Sequence, residues 1–266
     1  MATASASWPN PPLDRSILGW DPTDEFSVLI GDWLSENGQG YTNLEIEAKV
    51  GRIMDHDTGQ RIQIPVRTET IIDMQRGWRF ESHMSDAQHQ KINGLLNKAV
   101  EQSSGKITYQ RQKEVDLFYT DDNGDNRSKI RVTKDEDSWQ TKATIMKKRL
   151  NDINVYCPNR SLDYRISINV EEPRSEPTHQ ESDFQRSKNR LHYTHQQICV
   201  DLTQVSSPAG DEKPTNELEL EFKDANELLR SAQASVHAAS REEWTPYYDS
   251  ILVFLNNIRM LIRNAD

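Results

Sequence analysis

Glu217-Leu218-Glu219-Leu220-Glu221, followed by Phe222, is the stretch on which the fold turns. Read as a β-strand it alternates strictly, with three carboxylates on one face and Leu218, Leu220 and Phe222 on the other. Same-face neighbours on a strand lie ~7 Å apart. At an effective dielectric of about 20 the three carboxylates repel by ~6 kcal/mol in total, and in open water by ~1.5 kcal/mol. The larger figure is comparable to the ~5–15 kcal/mol that stabilises a domain. The face is therefore either solvated or enclosed with cations to neutralise it. A helix start is a third reading, because Glu and Leu are good helix formers.

A second stretch favours the enclosed strand. Asn43-Leu44-Glu45-Ile46-Glu47-Ala48-Lys49-Val50-Gly51 sets Glu45, Glu47 and Lys49 on one face and Leu44, Ile46, Ala48 and Val50 on the other. If the apolar faces form an outer core, the carboxylates converge inward. Clustered hard oxygens without His or Cys beside them suit Mg²⁺ or Mn²⁺ rather than zinc.

Other β stretches carry cations at alternate positions: Lys129 and Arg131, Lys147 and Arg149, and Arg186, Lys188 and Arg190. Asp163, Arg165, Ser167, Asn169 and Glu171 share one polar face backed by Leu162, Tyr164, Ile166, Ile168 and Val170; Asp201 and Thr203 oppose Val200 and Leu202. For any one strand a solvated face is the commoner explanation. A barrel with an enclosed wet face explains them together. Arginines and lysines facing carboxylates across a lumen suit a polyphosphate with its metal, since the cations hold non-bridging oxygens and the acids hold the divalent ion. Glu171, on a strand otherwise rich in cationic and hydroxyl groups, is the candidate to orient or deprotonate a water.

Composition agrees with a charged interior. Of 266 residues, 35% are hydrophobic and 28% charged, and the mean hydropathy is −0.83. A formal charge of −10 argues against a general nucleic-acid coat, which needs a broad basic surface. Cys157 and Cys199 have no metal-ligand spacing, and two cysteines point to a reducing compartment. No 18-residue apolar run occurs, so no membrane-spanning helix is expected, and the N-terminal residues lack the basic and apolar regions of a secretory signal.

Along the chain, residues 1–23 read as an irregular, proline-rich arm packing through Trp8 and Trp20, and 24–266 as a single domain. Helices are expected from Thr23 or Asp24 to about Glu36, over 85–100, from Asp224 or Asn226 to the late 230s, and from Pro246. The last carries an apolar stripe (Ile251, Leu252, Phe254, Leu255, Ile258, Leu261, Ile262) that is core or a dimer face. Strands are expected at 43–51, 61–72, 78–80, 114–119, 129–133, 140–149, 162–171, 189–203 with a bend, and 217–222. Asp121–Asn126 reads as a hairpin turn rather than a calcium loop, because its Gly falls at the wrong position and no Glu stands at loop position 12. Repeated short strands with turn signals suggest an antiparallel sheet closing on itself. The expected class is α+β, a closed antiparallel barrel with helices around it.

Glu45-x-Glu47-x-Lys49 together with Glu217-x-Glu219-x-Glu221 resembles the paired motif of the triphosphate tunnel metalloenzymes. With the Arg186-x-Lys188-x-Arg190 run, the chain resembles the fungal messenger-RNA-capping branch, the RNA 5′-triphosphatases. The resemblance covers residues 43–222. It implies an eight-stranded tunnel that removes the γ-phosphate from triphosphate-ended nascent RNA, leaving a diphosphate end for guanylyl transfer. Carried onto matching positions, it implies Glu45, Glu47 and Glu221 as ligands of Mg²⁺ or Mn²⁺, with Glu217 and Glu219 supporting them. Arg131, Lys188 and Arg190 would grip the γ-phosphate, Lys49, Lys147, Arg165 and Arg186 would line the tunnel, and Glu171 would orient or deprotonate the attacking water. It further implies hydrolysis of free nucleoside triphosphates with Mn²⁺ or Co²⁺, nuclear action, a homodimer, and association with the capping guanylyltransferase or the RNA polymerase II C-terminal tail.

Two alternatives stand beside this. One is a tunnel hydrolase of free tripolyphosphate or thiamine triphosphate; the other is a non-catalytic module that binds polyphosphate or a protein. No Gly-x-x-x-x-Gly-Lys phosphate loop and no Gly-x-Ser-x-Gly elbow occurs. His192 and His195 have no neighbouring pattern that completes a zinc site.

Overall fold

The computed structural model of the protein describes residues 16–19, 24–121, 129–177, 181–207, 213–238 and 245–266. The chain runs α1 (Glu25–Gly38), β1 (Leu44–Asp55), β2 (Thr70–Ile72), β3 (Trp78–Glu81), α2 (Asp86–Gln102), β4 (Ile107–Thr120), β5 (Lys129–Asp135), β6 (Thr141–Tyr156), β7 (Asp163–Pro173), β8 (Phe184–His195), β9 (Ile198–Ser206), β10 (Thr215–Phe222), α3 (Ala225–Ala238) and α4 (Pro246–Ala265). Eight strands pair in the order β10-β9-β8-β4-β5-β6-β7-β1, and β1 closes the ring on β10. Every pairing in the ring is antiparallel. Closure leaves no unpaired edge in the ring. β2 lies outside it against β6, and β3 against β1.

Alternation does the sorting. The outward Ile46, Ala48 and Val50 of β1, Ile166 and Ile168 of β7 and Leu218 and Leu220 of β10 are buried in one core with Ile30 and Leu34 of α1 and Ile251, Phe254, Leu255 and Ile258 of α4. Each such side chain contributes ~1.5–3 kcal/mol by leaving water, which offsets the cost of a charged lumen. The α4 stripe is therefore core. α2 starts with a capping box, in which Ser85 Oγ accepts from Gln88 N at 3.3 Å.

Several expected strands differ. Only Thr70–Ile72 of the 61–72 stretch is strand, apart from one bridge between Arg61 and Met54. Pro65 cannot donate to a ladder, and Arg61 is drawn instead onto Asp163 (Nε–Oδ2, 2.8 Å). Asp163, grouped by sequence with the lumen face of its strand, is wholly buried and accepts from the backbone N–H groups of Ile53 (3.0 Å) and Cys157 (2.9 Å). The stretch 189–203 is two strands, not one bent strand. They reverse through a two-residue turn between His195 and Ile198, with Gln196 at φ 52°. The sequence carries no Gly or Asn to announce that left-handed residue.

β4 begins seven residues before the expected strand and β6 continues seven beyond it, both paired over the added length or capped by β2. The turn expected at Asp121–Asn126 lies outside the described residues except for Asp121, although β4 and β5 pair from Thr120 and Lys129 as a hairpin does. The expected N-terminal arm also lies outside them, apart from residues 16–19.

Candidate active site

The inward positions of the ring enclose a cavity of about 510 Å³. Its lining carries seven acids (Glu45, Glu47, Glu171, Asp201, Glu217, Glu219, Glu221) and eight cations (Lys49, Arg131, Lys147, Arg149, Arg165, Arg186, Lys188, Arg190), with Phe80, Ser82 and Thr203. All thirteen residues to which the family resemblance gives site roles therefore meet in one lumen, whereas Lys129 and Asp163, grouped with such polar faces by sequence, do not line it. Strand register brings them together. Glu47 stands opposite Glu221, and Lys49 opposite Glu219, across β1 and β10. Lys147 is paired with Glu171 across β6 and β7.

Ion pairs link the walls. Lys147 Nζ lies 3.0 Å from Glu47 Oε1 and also meets Glu45. Lys49 meets Glu219 and lies 3.3 Å from Glu47. Arg131 reaches Glu171 at 3.1 Å, and Arg190 reaches Asp201 at 3.3 Å. Asn169 Nδ2 donates to Glu45 at 2.8 Å and to Glu47 at 3.0 Å.

The acids separate into two electrostatic states. Burial pushes Glu47 up, but Lys49 and Lys147 beside it hold its carboxyl at about 2. Burial, Asp201 and Glu45 instead push Glu221 up to about 7, and Arg190 only partly offsets them. Among the described residues Glu221 makes no ion pair. Glu171 is also raised, by burial and by Glu45, against Arg131. Glu221 is thus a buried carboxylate short of positive charge, next to Glu47 in register.

Oxygen donors of this kind fit a hard divalent ion, which would supply the missing charge. Glu45 and Glu47 are turned onto Lys147 here, and among the described residues no three ligand side chains are grouped around a single point.

Three of the arginines carry one unsatisfied nitrogen each. The buried Nε atoms of Arg131, Arg186 and Arg190 have no hydrogen-bond partner, and neither does Thr203 Oγ1. Buried donors are normally satisfied; these guanidinium groups make their ion pairs through the terminal nitrogens, Arg131 with Glu171, Arg186 with Asp116 and Arg190 with Asp201.

Sequence reasoning missed Glu114 and Asp116. They alternate on β4 with Val115 and Leu117, the same signal it used elsewhere, and face Lys188, whose Nζ lies 3.1 Å from Glu114 and 3.0 Å from Asp116. Asp116 also accepts from Thr133 at 2.7 Å and meets Arg186 at 3.5 Å. Burial lowers the Lys188 pKa in spite of both acids. In the sequence Asp201 stands out only as a polar position opposite Val200 and Leu202. It is buried and binds His192 Nδ1 at 2.6 Å. Arg165 is held by Asn154 (2.7 Å) and lies over the Phe80 ring.

A closed antiparallel barrel with a lumen of opposed carboxylates and arginines defines a tunnel fold built for a polyanion and a cation together. Residues 20–266 match the family description "mRNA capping enzyme, beta chain", and the chain belongs to that family. It is 38% identical over 265 residues to the mRNA-capping enzyme subunit beta of Schizosaccharomyces pombe, covering 95% of this chain and 86% of that one. It is 35% identical to the Cryptococcus neoformans subunit, covering 95% of this chain and 65% of that one. The solved structure of the S. pombe Pct1 RNA triphosphatase in complex with the Spt5 CTD superposes with a TM-score of 0.87 at 32% identity, over 95% of this chain and 99% of that one.

Proposed function

We propose that the protein hydrolyses the β–γ phosphoanhydride of triphosphate-ended nascent RNA, the first step of messenger-RNA cap formation. Membership of the capping family makes it an RNA 5′-triphosphatase, a phosphoanhydride hydrolase. The observation that carries the mechanism is the union, in one closed lumen, of Glu221, which makes no ion pair among the described residues, with the cations Arg131, Arg186, Lys188 and Arg190.

Glu45, Glu47 and Glu221 would hold Mg²⁺ or Mn²⁺, braced by Glu217 and Glu219 and by Lys49. When bound, the ion supplies charge neutralisation for the leaving diphosphate oxygens. Arg131, Lys188 and Arg190 hold the γ-phosphate oxygens, and Lys147, Arg165 and Arg186 hold the rest of the triphosphate. Glu171 accepts the proton of the attacking water while its oxygen bonds the γ-phosphorus. The bond from that phosphorus to the β–γ bridging oxygen breaks, and the electron pair stays on the RNA diphosphate. A raised Glu171 carboxyl lies nearer neutral pH than a free one, which favours a base.

Residues 24–266 act as one catalytic unit. Free nucleoside triphosphates are a side substrate with Mn²⁺. The protein works in the nucleus, as a homodimer, with the capping guanylyltransferase or the RNA polymerase II C-terminal tail; the S. pombe relative's complex with the Spt5 CTD supports a tail-type partner. None of the helices described is long and apolar enough to cross a membrane. Phosphate release from triphosphate-ended RNA, with and without divalent ion, tests the reading. Release that is unaffected by chelator would remove the metal from it.

A further inference from the structure

The lumen has two mouths. Glu45, Glu171 and Glu221 stand near the one where β1 begins and β7 and β10 end. Arg165 and Arg186 stand toward the other, where β7, β8 and β10 begin, together with Glu217 and Glu219 of β10. At that second mouth Phe184 opens β8 on the same face as Arg186, Lys188 and Arg190. Its ring stacks on Phe118, with centroids 4.3 Å apart and planes at 8°. The Arg186 guanidinium covers Phe118 at 5.0 Å. Yet Phe184 remains 50% exposed, on a strand whose neighbouring inward positions are all cations.

An exposed aromatic ring continuous with a phosphate-binding ladder is what a single-stranded nucleic acid requires, since every base has a face to stack and its backbone follows the cations. Phe184 lies about 13 Å along the strand from Lys188, comparable to the reach of a triphosphate and its ribose.

We propose that Phe184 is the stacking platform for the 5′-terminal nucleobase, and that the triphosphate threads inward from this second mouth along the β8 cations, past Arg186. The proposal rests on the RNA 5′-triphosphatase reading and names how that site tells RNA from free polyphosphate.

The test is Phe184→Ala and Phe184→Trp in the full chain. Phosphate release from triphosphate-ended RNA is followed with inorganic tripolyphosphate added as competitor. In Phe184→Ala the KM for RNA rises about tenfold relative to the inhibition constant of tripolyphosphate, equivalent to about 1.4 kcal/mol and at the low end of base–aromatic stacking. kcat holds, and Phe184→Trp restores KM. Parallel weakening of both ligands, or an unchanged KM, overturns the proposal. A wild-type enzyme that releases nothing from RNA would instead refute the underlying activity.

Discussion

Lys147 Nζ stands 3.0 Å from Glu47 Oε1, joining the basic wall of the lumen to its acidic wall. The same ammonium meets Glu45, so it draws on the oxygens that a divalent ion would use. Lys147→Met should bind Mn²⁺ about tenfold more tightly, equivalent to about 1.4 kcal/mol, while releasing phosphate more slowly. A Mn²⁺ titration read by electron paramagnetic resonance checks this. Unchanged or weaker affinity would show that Lys147 and the ion do not compete.

Glu45→Ala and Glu221→Ala should each lower phosphate release at least about 100-fold, as removal of a transition-state stabiliser does. Circular dichroism should still report the barrel, because the outer core of Ile46, Leu218 and Leu220 is untouched. Near-normal turnover in either variant rules out the metal assignment.

Glu171 faces Arg131 at 3.1 Å and carries a raised carboxyl. Glu171→Gln keeps the shape and the contact but cannot take a proton. Its kcat should fall about 10²–10⁴-fold, with KM for RNA and Mn²⁺ affinity little changed. A variant that lost binding alone would make Glu171 a ligand rather than a base.

His192 is a buried-edge cation. Its hydrogen bond to Asp201, with the Cys199 contact next, raises its pKa to about 10 from the ordinary 6.5. A folded-state value above the unfolded one means that the stabilisation is complete below about pH 6.5 and is lost as pH climbs to about 10. The gap in Tm between wild type and His192→Gln should therefore be widest near pH 6 and close toward pH 10. A gap that is constant with pH excludes the charged pair as its source.

Gly51 is where β1 passes β3, and a Cβ there would overlap the Glu81 carbonyl oxygen. Gly51→Ala should cost about 1–3 kcal/mol by overpacking, read as a lower Tm. Since β3 also carries Phe80 at the lumen wall, KM for RNA should rise with it. An unchanged melting curve would mean that β3 shifts freely.

Much of this site is legible without coordinates because strand alternation is local. Glu45-x-Glu47 and Glu217-x-Glu219-x-Glu221 cannot present their carboxylates to the core side without exposing Ile46, Leu218 and Leu220, so side-chain type alone assigns the face. The ring of eight does not follow from counting such strands: the sequence shows nine stretches, of which 61–72 and 78–80 lie outside the ring and 189–203 supplies two of its strands. Other features left no local trace. Gln196 takes the left-handed turn that splits 189–203 without a Gly to mark it. Arg61 leaves its expected strand for Asp163, a residue 102 positions away.

The amino-acid order by itself therefore determined which side chains share a face of each strand, because a two-residue period depends only on neighbours in the chain. That Asp163 leaves the lumen face of its strand was decided by the fold. Tertiary structure alone decided which charge meets which: Lys147 with Glu47, Lys188 with Glu114 and Asp116, and Glu221 with no ion-paired cation among the described residues. Those partnerships depend on register between strands far apart in sequence, and register is set by the closed ring and its core.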